Sequence, residues 1–93
     1  ELFKPEDTVT RAELAVMLYR YAKLVKLDTS MSGNELNAFV DGHSISDWAV
    51  EGMSWCVKSG ILQGKNGRIL DPGTNVTRAE VSVMLQRFIN LMK

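Results

Sequence analysis

The sequence predicts a mainly α fold with one short β-hairpin, and three observations carry that reading. Sliding the 93-residue chain by 67 positions lays Phe3–Tyr21 on Leu70–Phe88 with ten of nineteen positions identical, and both copies contain VTRAE, at Val9–Glu13 and Val76–Glu80. Such self-similarity marks a repeated supersecondary unit. Each copy opens with helix-start chemistry, and the apolar residues that follow recur at helical spacing.

Taken in order, Thr10 and Glu13 form an S/T-x-x-E capping box, and Val9 and Leu14 are spaced as a hydrophobic staple. Leu14, Met17, Leu18, Tyr21 and Val25 then supply an apolar stripe, which predicts a helix over 10–24. The polar stretch Asp28–Asn37 reads as a linker, with one helical turn at Asn34–Ala38. A second helix starts at Ser46 or Asp47, with Trp48, Met53, Trp55, Cys56 and Val57 on its buried side and Gly60 in a left-handed cap. Apolar residues around Asn66-Gly67 predict a tight hairpin with very short strands over 61–70. Asp71-Pro72-Gly73 turns the chain into the second capping box, Thr77 with Glu80. Val81, Met84, Leu85, Phe88 and Leu91 then predict a helix over 77–92. The organisation is one structural domain: the back half of a first repeat at 1–27, a linker at 28–38 and a complete repeat at 39–93.

Composition narrows the function. Eleven basic and eleven acidic side chains cancel, and no Lys/Arg cluster offers the positive face that nucleic acid requires. Cys56 is the single cysteine, which rules out an internal disulfide and a multi-cysteine metal site; it reads as a small core hydrophobe. No apolar stretch approaches the ~20 residues of a membrane span. His43 is the sole histidine and has no nucleophile beside it, so the chain is read as non-enzymatic. Gly60–Asn66 departs from a phosphate loop in spacing and lacks the Ser or Thr that holds magnesium, and Asp41–Asp47 lacks the ligand alternation of a calcium loop. No cofactor and no metal are expected.

Arg11 and Arg78 raise a question, because each falls at the first position of a helix. The dipole and unpaired N–H groups there favour anions, so a cation costs about 0.3–1 kcal/mol unless something compensates. Two explanations fit. The guanidinium and helix start together form a site for a carboxylate or phosphate, gripped bidentately. Alternatively, the side chain pairs with an internal acid such as Asp7, Asp28, Asp41 or Asp71. Arg20 and Arg87 also recur, but at mid-helix positions that read as exposed.

The ordered set Phe39-x-Asp41, Asp47-Trp48-Ala49, Gly60-Ile61-Leu62-Gln63-Gly64, Gly67, Pro72 and Val76–Glu80 resembles the S-layer homology (SLH) domain family. The resemblance implies helical modules that come in threes in a pseudo-threefold arrangement, of which this chain holds about one and a half. It implies an extracellular place on the bacterial surface, in the cell wall or S-layer, and anchoring to acidic, often pyruvylated, secondary cell wall polysaccharide. Carried over, the glycan grip falls on Arg11 and Arg78, with Trp48 as an aromatic face and Gln63 and Gly64 as groove edges. The alternative is a structural or self-assembly module of a surface protein without direct glycan binding, whose partners are copies of itself or further SLH repeats.

Overall fold

A computed structural model describes residues 8–93 and places three helices, α1 (Arg11–Leu24), α2 (Asp47–Lys58) and α3 (Arg78–Leu91), with short 3-10 turns at Glu35–Ala38 and Gly42–Ser44. The Phe3–Asp7 part of the repeat, with Pro5 and the candidate acid Asp7, lies outside the described residues. Both repeated helices begin identically. Thr10 Oγ1 accepts from the Glu13 amide at 3.1 Å and Glu13 Oε1 accepts from the Thr10 amide at 2.8 Å. Thr77 and Glu80 reproduce those two distances. Each box satisfies a donor that would otherwise be orphaned at the first turn.

The core forms where α1 crosses α2. Small residues let the two backbones approach: a Cβ on Gly52 would sit 2.8 Å from the Val16 Cα. The Cys56 thiol donates to the Ala15 carbonyl at 3.5 Å, and the Tyr19 and Trp55 rings lie 6.1 Å apart. α3 closes the assembly through Phe88, which meets Trp55 edge-on at 6.2 Å and Tyr21 at 5.8 Å. Leu14, Met53, Ile61 and Leu70 are sealed from solvent, and each such burial stabilises by about 1.5–3 kcal/mol.

Several expectations need correction. α1 buries Ala12, Ala15, Val16, Tyr19 and Ala22 in addition to Leu14 and Leu18, while Tyr21 and Val25 are substantially exposed. The stripe read from large residues missed the alanines, whose small volume suits the close face toward α2. Trp48 is 58% exposed rather than part of the buried side of α2. It shares an angular position with Trp55 but lies about 10 Å nearer the start of the helix, beyond the cover that Tyr19 and Phe88 give. Leu91 is exposed at the end of α3.

The hairpin is reduced to a single antiparallel bridge, Lys65 with Ile69, around Asn66 and Gly67, both at positive φ. A second bridge joins Thr10 to Asn75, so the entries to α1 and α3 run side by side. Gly60 adopts φ 83° at the end of α2, the left-handed conformation that glycine takes without strain. The 28–38 segment is laced to α2: the Trp55 Nε1 donates to the Asp28 carbonyl at 2.9 Å, and the Lys58 ammonium to the Ser30 carbonyl at 2.7 Å. Leu36, in the 3-10 turn at Glu35–Ala38, is buried against the core.

Candidate functional site

The opening of α1 is built from the second repeat. Arg11 is 4% exposed and its guanidinium is held on three sides. Nε donates to the Leu70 carbonyl at 2.7 Å, Nη1 to Glu80 Oε2 at 2.9 Å and Nη2 to the Gln63 carbonyl at 3.2 Å. Leu70 is positioned for this by Asp41, whose two oxygens accept from the Leu70 and Asp71 amides at 2.9 Å each. Asp41 therefore fixes the peptide whose carbonyl receives Arg11. The internal-pair explanation describes the geometry of Arg11, but the acid is Glu80 rather than Asp28, Asp41 or Asp71, Asp7 lying outside the described residues. The signal was present in the sequence, since Glu80 belongs to the second capping box and has one oxygen to spare once Thr77 is capped.

The backbone at the start of α1 is closed as well. The Arg11 amide donates to the Thr74 carbonyl at 2.9 Å and the Ala12 amide to the Pro72 carbonyl at 3.0 Å, while Thr10 takes the amide of Glu13. No free N–H cluster faces solvent there, so α1 offers no anion site at its first turn. The same sequence at α3 is open. Arg78 is exposed, and among the described residues its guanidinium has no hydrogen-bond or ion-pair partner. The Arg78 and Ala79 amides likewise find no acceptor among the described residues.

A groove of about 340 Å³ lies between α3 and the loop after α2. Arg11, Lys65 and Arg87 place three cations along it against the single carboxylate of Glu80, and Gln63, Gly64 and Val83 line its remaining walls. Gly64 is required by packing, because a Cβ there would meet the Phe39 ring at 2.6 Å. Arg87 is half-buried and donates from Nη1 to the Ile61 carbonyl at 3.2 Å. Sequence reasoning took it for a solvated mid-helix cation. Its spacing from Glu80 and Met84, seven and three residues, places all three on one helix face. Trp48 and Arg78 are not among the residues that line this groove.

Charge in the groove is partly matched already. The Lys65 ammonium lies 2.8 Å from Asp71 Oδ2 in an exposed pair, and that hydrogen bond holds the Asp71 carboxyl below its usual range. Glu80 also sits below its ordinary value of 4.5. The Thr77 backbone N–H is the largest cause, partly opposed by desolvation, with the charges of Arg11 and Lys65 adding to it. Burial pushes the Cys56 thiol up to about 12, which keeps it protonated and unreactive at neutral pH.

A second groove, of about 480 Å³, is almost wholly apolar and runs between α1 and α3, where Leu18 and Tyr21 stand opposite their repeat equivalents Leu85 and Phe88. Among the described residues no group of three or more His, Cys, Asp or Glu could hold a metal ion. No described helix is long and apolar enough to cross a membrane.

Comparison with known proteins adds the family. The chain is 30% identical over 91 residues to Cell surface glycoprotein 1 of Acetivibrio thermocellus, covering 98% of this chain and 4% of that protein. It is 30% identical over 88 residues to the Cellulosome-anchoring protein of the same species, covering 95% of this chain and 19% of the relative. It is 32% identical over 83 residues to the Amylopullulanase of Thermoanaerobacterium thermosulfurigenes, covering 88% of this chain and 4% of the enzyme. The chain thus spans less than a fifth of the length of these relatives. No solved structure matches it. Residues 38–82, which include Phe39, Asp41, the α2 helix and the second VTRAE, match the S-layer homology domain, and this segment of the chain belongs to that family.

Proposed function

We propose that this chain is a non-catalytic anchoring module that holds a larger protein on the bacterial cell surface by binding an acidic cell wall polysaccharide, pyruvylated glycans included. The observation that carries the reading is the groove beside α3, where three cations face one carboxylate in a chain whose overall charge is zero. Family membership and relatives named for cell surface and anchoring roles support it. The amylopullulanase among those relatives is an enzyme of which this chain resembles 4%, consistent with an appended anchor rather than a catalytic part.

In this mechanism Arg11 shapes the wall of the groove rather than gripping the sugar, since Glu80 and two carbonyls already engage it. Lys65 and Arg87 present charge to a ligand carboxylate, and the Gln63-Gly64 backbone forms the rim. The exposed Trp48 indole offers a sugar-stacking face on a separate surface. The complete repeat at 39–93 is the binding unit, and 1–27 contributes Arg11 from its neighbour. Sedimentation of the chain with purified wall polysaccharide, before and after chemical removal of pyruvate, tests the reading. Retention of Lys65→Ala/Arg87→Ala at the level of the unaltered chain would defeat it.

One observation favours a second reading, assembly without glycan. The apolar groove between α1 and α3, with Leu24 78% exposed at its edge, is surface that a self-associating module would cover. Analytical ultracentrifugation of the same sample separates the two.

A further inference from the structure

The tip of the loop after α2 carries a reactive pair that neither the core nor the groove uses. Lys65–Arg68 is a four-residue turn closed by the Arg68 amide donating to the Lys65 carbonyl at 3.1 Å, with Asn66 at φ 55° and Gly67 at φ 71°. Both residues are exposed, and nothing lies within 4 Å of where a Gly67 Cβ would sit. A single bridge, Lys65 with Ile69, flanks the turn, so it opens locally at little cost.

We propose that Asn66 is a self-modification site, at which the chain deamidates through its own backbone and thereby dismantles the groove beside α3. When the turn opens, the Gly67 nitrogen gives its proton to hydroxide and attacks the Asn66 Cγ. The new N–Cγ bond closes a five-membered succinimide, the Cγ–Nδ2 bond breaks, and ammonia leaves with a proton from water. Water then opens the ring on either side. One opening leaves an ordinary aspartate, and the other leaves an isoaspartate whose backbone runs through the former side chain. Lys65 and Arg68 flank the site, and their positive charge favours the anionic nucleophile.

The remaining asparagines are internal controls. Asn34, Asn37, Asn75 and Asn90 precede Glu35, Ala38, Val76 and Leu91, whose side chains hinder the attacking amide as Gly67 does not. Asn34 and Asn37 also bond each other at 3.4 Å, Asn90 accepts from Gln86 at 3.1 Å, and the Val76 amide is held by the Val9 carbonyl at 2.8 Å. Among the described residues the Asn66 side chain has no such partner.

The consequence follows from what the loop holds. The Arg68 carbonyl accepts from the Val40 amide at 2.9 Å, Gly64 packs on the Phe39 ring, and the Leu70 carbonyl receives Arg11. An isoaspartate lengthens the backbone inside this frame and breaks its register, and either product adds a carboxylate next to Lys65. The modified chain therefore loses affinity for acidic polysaccharide, a consequence that rests on the function proposed above.

The test is to age the 93-residue chain in mildly alkaline buffer, beside the same chain unfolded in urea and an Asn66→Ser variant. Peptide mapping by mass spectrometry and labelling by isoaspartate methyltransferase should place the change at Asn66 alone, with Asn66→Ser inert. Exchange at the Val40 and Ile69 amides should accelerate by about tenfold in the modified chain. Its retention on purified acidic wall polysaccharide should fall by about threefold or more, and that of Asn66→Asp, which carries the charge without the backbone change, by less. Asn66 surviving intact while the unfolded chain converts would overturn the proposal, as would equal conversion at the other asparagines. Undiminished retention of the modified chain would overturn the effect on the groove. Absence of binding by the unaltered chain would instead overturn the anchoring function, with the modification still decided by mass and exchange.

Discussion

Arg11 and Glu80 lie 69 positions apart in the chain and meet at 2.9 Å, and the same carboxylate uses its other oxygen to cap α3 through the Thr77 amide. One side chain thereby closes the start of its own helix and ties down the start of the equivalent helix. The unfavourable cation at the first turn of α1 is compensated from within.

The pair should behave asymmetrically with its repeat. Arg11→Ala leaves the Leu70 and Gln63 carbonyls without their donor and should destabilise by about 2 kcal/mol, chiefly through those unmet carbonyls, since Glu80 is partly exposed and keeps the Thr77 amide. Arg78→Ala in the same chain should change stability by no more than about 0.5 kcal/mol, as expected for an exposed residue. Urea unfolding of the two variants checks the contrast, and equal losses would remove the distinction between the copies.

Acid should loosen this junction. The folded Glu80 carboxyl lies below its ordinary 4.5, so below that pH the unfolded chain binds more protons than the folded one. The stability Glu80 supplies is present above 4.5 and is lost as pH falls through the folded value. Glu80→Gln should flatten the dependence of stability on pH in that window without abolishing it, because Asp28, Glu35 and Asp71 are lowered too. Chemical denaturation between pH 3 and 6 measures the slope, with the window set by these groups' ordinary values.

Lys65→Ala and Arg87→Ala should each weaken retention on acidic polysaccharide by about tenfold, near 1.4 kcal/mol, while leaving the far-UV dichroism unchanged. Added salt should reduce the affinity of the unaltered chain more steeply than that of the double variant. Binding isotherms at two ionic strengths read both effects.

The two tryptophans should separate fold from surface. Trp55→Ala removes a ring packed against Tyr19 and Phe88 and should cost about 3–5 kcal/mol. Trp48→Ala should leave the thermal midpoint in place and lower polysaccharide retention. Loss of stability at Trp48, or unaltered retention, would argue against a stacking role.

The helices were legible because their signals are local. Thr10, Glu13, Thr77 and Glu80 announce their caps within four residues, and Gly60 announces the end of α2 by itself. What escaped is non-local. The Ala12, Ala15 and Ala22 face becomes a contact surface only once Gly52 approaches, and no periodicity of large residues marks it. The partner of Arg11 is 69 positions away and competes, on sequence, with several nearer aspartates. Arg87 looks solvated until the loop after α2 folds beside it. Trp48 and Trp55 share a helix face, and only the end of the surrounding core tells them apart.

The five acceptors that finish α1 come from Gln63, Leu70, Pro72, Thr74 and Glu80, so α1 cannot be completed until the chain has been made through the start of α3. Contacts over such separations close late and slowly. Until that segment emerges, the nascent chain carries an α1 whose first turn is unfinished and whose Arg11 has none of its acceptors.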